Sequence, residues 1–102
     1  MNNKFLGMLG LAKRAGKVQT GEDICSKAVK SGVSKLIIVA CDASDNTKKS
    51  FSNMCAYYHV PMIVFADKET LGHAIGKQFR ASVAVTQDGF AKAILKLTES
   101  DN

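Results

Sequence analysis

The segment Leu36-Ile37-Ile38-Val39-Ala40 restricts the fold of this chain more than any other feature. It is short, unbroken, mostly β-branched and free of polar positions, so it reads as a strand covered on both faces. Such strands lie inside sheets flanked by helices, most often parallel ones. Helical and extended patterns alternate around it. Phe5, Met8, Leu9 and Ala12 recur at helical spacing and predict a first helix. Lys13 and Arg14 fall in its last turn, where cations suit the helix dipole, and Gly16 is placed as a left-handed cap. Lys17–Thr20 is extended. Thr20-Gly21-Glu22-Asp23 has the form of an N-cap with acids in the first turn. Ile24, Cys25, Ala28 and Val29 are the stripe of the second helix, which Gly32 ends.

Beyond the central strand, Asp42–Asn46 offers caps for a third helix with Phe51, Met54, Cys55 and Tyr58 inward, and Pro61 stops it. Met62–Phe65 is a strand. A fourth helix lies within Asp67–Lys77, with Leu71, Ala74 and Ile75 inward. Ser82–Val85 is the last strand. Asp88 caps a fifth helix striped by Phe90, Ala93, Ile94 and Leu97, and Ser100–Asn102 is expected to fray. This alternation predicts a three-layer α/β/α sandwich, a four-stranded mixed sheet flanked by about five helices. No linker, repeat or low-complexity tract interrupts it, so residues 1–102 are expected to form one domain.

The hydrophobic fraction of 46% and charged fraction of 23% exclude a disordered tail or fibrous repeat. No apolar run approaches the ~20 residues of a membrane helix, and no secretory signal pattern opens the chain. Cys25, Cys41 and Cys55 are odd in number and widely spaced, which suggests reduced thiols and a cytoplasmic location. Fourteen basic residues against nine acidic ones give a net charge of +5. The first 35 residues hold seven bases (Lys4, Lys13, Arg14, Lys17, Lys27, Lys30, Lys35) and two acids (Glu22, Asp23), so the whole excess lies there. Nucleic acid is the first partner to consider for such a chain.

Catalytic and cofactor patterns find little support. Gly10 to Gly16 brackets five residues where a phosphate loop needs four, Val18 stands in place of the metal-binding hydroxyl, and helix precedes strand. No GxGxxG follows a strand. Cys55 and His59 stand four apart without a second pair at zinc spacing, and Cys55 belongs to an apolar stripe. Asp42 and Asp45 fit turn and cap roles better than cation binding. Cys41, at a strand end beside Asp42, is the one candidate nucleophile, and nothing in the sequence lowers its pKa. No catalytic residue, metal or cofactor is therefore expected. A catalytic or small-ligand domain using Cys41 and Asp42 is the rival reading, and a protein–protein adaptor is another.

The more informative stretch runs from Gly16 to Ala28. A basic turn and a short strand lead into a helix N-terminus, where free N–H groups and the dipole attract phosphate or a base acceptor. Lys27 and Lys30 lie on that helix's polar side, within reach of phosphate or guanine. An ordinary capped helix with Asp23 paired to Lys27 explains the same spacing equally well.

Five segments in this order carry a resemblance: Thr20-Gly21-Glu22-Asp23 through Lys27, Lys35 through Ser44, Val60-Pro61, Leu71-Gly72-His73-Ala74-Ile75-Gly76-Lys77, and Ala81 through Val85. Together they resemble the kink-turn RNA-binding superfamily of ribosomal proteins L7Ae and L30e, and within it the bacterial YlxQ-type members, over about residues 4–98. The resemblance implies an α/β/α fold and a non-catalytic, ribosome-associated protein that binds structured RNA, without nucleotide cofactor or membrane, as a monomer. In the family, a glycine, an asparagine two residues on, a glutamate or glutamine next and a lysine three further contact sheared G·A pairs in sharply bent RNA. Gly21 and Lys27 match that pattern; Asp23 and Ile24 depart from it. The family's second contact is the loop before the last strand, here Arg80-Ala81-Ser82-Val83. The implied RNA-binding set is Lys13, Arg14, Lys17, Gly21, Glu22, Asp23, Lys27, Lys30, Arg80, Ala81, Ser82 and Val83. Gly72 and Gly76 are read as close-packing positions, Tyr58 as packed, and the small aromatic content as too sparse for a stacking platform.

Overall fold

The computed structural model describes residues 3–99. The order is α1 (Asn3–Arg14), β1 (Val18–Thr20), α2 (Glu22–Lys30), β2 (Leu36–Val39), α3 (Asp45–Tyr58), β3 (Met62–Val64), α4 (Lys68–Ala74), β4 (Ser82–Val85) and α5 (Asp88–Glu99). The expected fraying of Ser100–Asn102 falls outside the described residues. The strands line up as β1-β4-β2-β3. β4 runs antiparallel to both β1 and β2, while β2 and β3 are parallel, so the sheet is mixed. The unbroken apolar run thus marks a central strand with one neighbour of each direction. Every position of β2 and β4 is buried. α2 packs on α3, and α1 on α4 and α5. Helices therefore cover both faces of the sheet, as the alternation predicts.

The core joins Phe5 and Leu9 of α1 to Phe51 of α3, Leu71 of α4, Ile94 of α5 and the two central strands. The rings of Phe5 and Phe65 meet at 4.5 Å between centroids. Gly72 packs most tightly: a Cβ there would lie 1.8 Å from the backbone oxygen of Gln78, so the loop after α4 folds directly onto the helix. Gly76 differs, because its surroundings are open and its φ of 74° is what favours glycine.

Several boundaries differ from the sequence reading, each for a local reason. Thr20 does not cap α2. Its hydroxyl donates instead to the Ser82 carbonyl at 2.8 Å, which leaves Gly21 (φ 103°) at the cap position with no side-chain bond to the helix. α3 ends at His59, whose left-handed φ of 59° breaks the helix before Pro61 is reached. Gln87 rather than Asp88 caps α5, its side-chain oxygen accepting from the Phe90 amide at 3.3 Å. The inward face of α5 is centred on Ala91 and Ile94, with Phe90, Ala93 and Leu97 half-buried. α4 is shorter than Asp67–Lys77, because Ile75 leaves the helical region and Gly76 turns the chain. β3 is an edge strand that ends at Val64, which is itself exposed. Ile24 and Tyr58, assigned to apolar stripes, are 52% and 40% exposed.

Candidate nucleic-acid interface

The antiparallel register pairs Thr20 with Val83, which sets the start of α2 beside the start of β4. The Thr20–Ser82 bond fastens the two segments. Arg80 is held from the other side, its amide donating to the Lys68 carbonyl at 3.0 Å, and its guanidinium donates to the Phe79 carbonyl at 2.7 Å. Gly21–Lys27 and Arg80–Val83 therefore form one rim, as two sequence segments about sixty residues apart. Fastening a loop at both ends limits what it loses in entropy when a ligand docks.

The N-terminus of α2 is the focus of this rim. Its first N–H groups receive no side-chain cap, whereas Ser44 caps α3 through the Thr47 amide at 3.1 Å and Asp67 caps α4 through the Thr70 amide at 2.7 Å. Uncapped amides and the positive helix end attract an anion or a base acceptor. Glu22, Asp23 and Lys27 are all exposed. Ile24 lies over Gly21, its Cδ1 3.9 Å from where a glycine Cβ would stand. Below it, Ile24, Lys27 and Val33 line a shallow groove with Gln19. Ser82 and Val83 are buried at 2% and 0% exposure, so at this rim they offer backbone and support, and Arg80 and Ala81 offer the accessible side chains.

One residue at the rim is absent from the sequence reading, and another is placed inward by it. Phe79 is 61% exposed beside Arg80, and Ile24 projects outward. A phenylalanine in a loop, outside any periodic stripe, is the signal for the first; for Ile24 the helical spacing pointed inward. The remaining bases lie elsewhere. β1 begins opposite Val85, so Lys17 stands at the far end of the strand pair, with Lys13 and Arg14 one turn before it. Lys30 closes α2 at that same end. The carboxylates of Glu22 and Asp23 stand at the rim itself, and those of Asp42 and Asp67 flank the start of α4 beside Arg80, with Lys68 among them.

The rival site is tied into the framework. The Asp42 carboxylate accepts from the Lys68 amide at 2.9 Å and anchors the start of α4. Cys41 is exposed, while Cys25 and Cys55 are buried, and burial pushes each of the latter thiols up to about 11. Among the described residues no group of three or more His, Cys, Asp or Glu side chains is placed to hold a metal ion. No helix among them is long and apolar enough to cross a membrane.

Layered α/β architecture of this order, with a glycine-led helix start fastened to the loop before β4, defines a ribosomal-protein-like class, and residues 3–96 match the ribosomal protein L7Ae/L30e/S12e/Gadd45 family. The chain belongs to that family. It is 42% identical over 96 residues to the RNA-binding protein YlxQ of Bacillus subtilis, covering 94% of this chain and 96% of that one. The RNA-binding protein YlxQ of Enterococcus faecium is 36% identical over 96 residues, 94% of this chain and 92% of the relative. Among solved structures, a Bacillus halodurans protein of unknown function superposes with a TM-score of 0.92 at 38% identity, covering 94% of this chain and 97% of that one. The Giardia lamblia 15.5kD RNA binding protein has a TM-score of 0.79 at 18% identity, over 98% of this chain and 89% of that one, and shares the fold.

Proposed function

We propose that this protein is a non-catalytic, cytoplasmic, monomeric RNA-binding protein that docks a structured, kink-turn-like RNA, such as a ribosomal one, at the rim of Gly21–Lys27 and Arg80–Val83. The observation that carries the reading is the uncapped α2 N-terminus fastened by Thr20 to the loop before β4. It offers free amides, a nearby lysine and a second wall in one place, in a chain whose relatives are named RNA-binding proteins. Lys27 supplies a donor for phosphate or a guanine edge. Phe79 supplies an apolar face against which an unstacked base rests. Glu22 and Asp23 accept from base amino groups and repel phosphate, so they set register more than affinity. Lys13, Arg14, Lys17 and Lys30 act at longer range.

The test is fluorescence anisotropy with a kink-turn RNA and a straight duplex of equal length. Lys27→Ala is expected to weaken kink-turn binding about tenfold, as loss of one charged contact worth ~1–3 kcal/mol implies. Changing Asp23→Asn together with Ile24→Glu restores the family's donor and acceptor and is expected to strengthen binding. Tight native binding that this double change weakens would overturn the assigned contacts, and equal affinity for the duplex would overturn the kink-turn preference.

A further inference from the structure

A cavity of about 430 Å³ opens at the end of the sheet away from the α2 rim, where α2 and α3 finish and α5 begins. Tyr58, His59 and Pro61 form one wall, Lys35 another, and Asp88 and Lys92 a third. Tyr58 is 40% exposed and meets Tyr57 edge-on at 4.9 Å between ring centroids. Lys35 is positioned by two bonds: its amide donates to the Val85 carbonyl at 2.7 Å and its Nζ to the Gly32 carbonyl at 3.1 Å. An ammonium has three donors, so two remain for a ligand. Lys17 leaves the same strand end, its carbonyl accepting from the Thr86 amide at 2.8 Å. Lys13, Arg14 and Lys30 approach this end from α1 and α2. The positive excess of the first 35 residues therefore gathers mainly here, while the carboxylates of Glu22 and Asp23 stand at the opposite rim.

We propose that this basic end is a second RNA-contacting surface, which takes a single-stranded segment with one unstacked base in the cavity against Tyr58 and the adjoining phosphates on Lys35 and Lys92. The volume lies within the range of small-ligand sites. Base faces stack on exposed aromatic rings whatever the sequence, and lysines meet phosphates as point charges. Asp88 orients the nucleotide. Its carboxylate repels phosphate and accepts from an exocyclic amino group, which cytosine and adenine carry and uracil lacks. The two RNA surfaces face opposite ways on a molecule about 30 Å long, so one copy of the chain can hold two RNA segments. This surface shares no residue with the α2 rim and stands or falls separately from it.

The experiment is anisotropy at low salt with labelled octacytidylate and octauridylate. Octacytidylate is expected to bind several-fold more tightly than octauridylate, and Asp88→Ala to narrow that ratio. Lys35→Ala with Lys92→Ala, and separately Tyr58→Ala, are expected to weaken octacytidylate binding tenfold or more, while Tyr58→Phe and Lys27→Ala leave it unchanged. Circular dichroism of each variant confirms that it folds. No change in the double lysine variant and in Tyr58→Ala would overturn the proposal. So would loss of binding in Lys27→Ala, which would assign the oligonucleotide to the α2 rim. Equal affinity for cytidine monophosphate would make the cavity a mononucleotide site, and equal affinity for an oligoglutamate of matched charge would reduce it to bare charge; either result overturns the RNA surface.

Discussion

Gly7 and Gly72 both lie in helices, yet their surroundings give them opposite roles. A Cβ at Gly7 meets nothing within 4 Å, whereas one at Gly72 meets the Gln78 backbone oxygen at 1.8 Å. Gly7→Ala is therefore expected to stabilise the protein by about 0.5–1 kcal/mol through reduced chain entropy. Gly72→Ala must displace the loop that carries Phe79 and Arg80, at a cost of about 1–3 kcal/mol. Thermal unfolding separates the two, since about 1 kcal/mol shifts the midpoint by roughly 4–8 °C in a domain this size. The buried thiols make a pH prediction. Below pH 9.0 Cys25 and Cys55 are protonated in both folded and unfolded chains. From there to about 11 only the unfolded chain releases those protons, because burial disfavours the thiolate in the fold. Stability is thus expected to fall as pH rises across that window, and Cys25→Ala to flatten the decline in urea titrations at several pH values. Gly72 was legible as a packing position from its spacing with Gly76, but the same spacing misread Gly76, which lies past the helix end with open surroundings. Ile24 was not legible, because helical periodicity states which residues share a face and leaves open whether the first turn extends past the sheet that would cover it.

At the scale of elements, helix starts divide into capped and uncapped ones. Ser44 and Asp67 close α3 and α4, and Asp42 ties the start of α4 to the end of β2. Only a glycine precedes α2, and the hydroxyl that the sequence offered as its cap is committed to β4. Removing either kind of bond has a different readout. Ser44→Ala is expected to cost about 1 kcal/mol of stability with RNA affinity unchanged, because Ser44 bonds only within the first turn of α3 and fastens neither rim segment. Thr20→Val is expected to cost a similar ~1 kcal/mol and also to weaken RNA binding, because it releases the loop before β4 from the start of α2. Denaturant unfolding paired with anisotropy distinguishes them, and unchanged RNA affinity in Thr20→Val would show that the fastening does not matter for docking. All nine elements of the described residues were legible in the sequence, since apolar spacing and turn residues are local properties. Their ends were less so: the bonds of Thr20 to Ser82 and of Asp42 to Lys68 span 62 and 26 residues. A cap drawn off by such a distant partner leaves no trace in a local pattern.

For the whole molecule, strand order converts a sequence cluster into a spatial division. The first 35 residues carry the net charge of +5, and sequence adjacency suggested one basic edge formed by the end of α1 and the face of α2. β1 separates those two places. Its three residues at ~3.3 Å each span about a Debye length at physiological salt, and α2 then runs back toward Lys17. The order β1-β4-β2-β3 is not readable from local spacing, which is why the division between the two ends was hidden while the rim segments, matched by family motif, were not. Charges at that separation steer an approaching RNA more than they hold a bound one. Replacing Lys13, Arg14, Lys17 and Lys30 together by alanine is therefore expected to slow association with a short kink-turn RNA at low salt and to leave dissociation nearly unchanged. Lys27→Ala is expected to do the reverse and speed dissociation. For the native protein, about four phosphates neutralised by both ends together would give a plot of log affinity against log salt with a slope near −3 to −4, whereas the two rim cations Lys27 and Arg80 alone would give a slope of about −2. If the rim alone holds the RNA, the slope drops by about one in Lys27→Ala and hardly moves in the fourfold variant. A fourfold variant that loses most of the slope would show that the bound RNA reaches around β1, and that both ends grip one molecule at once.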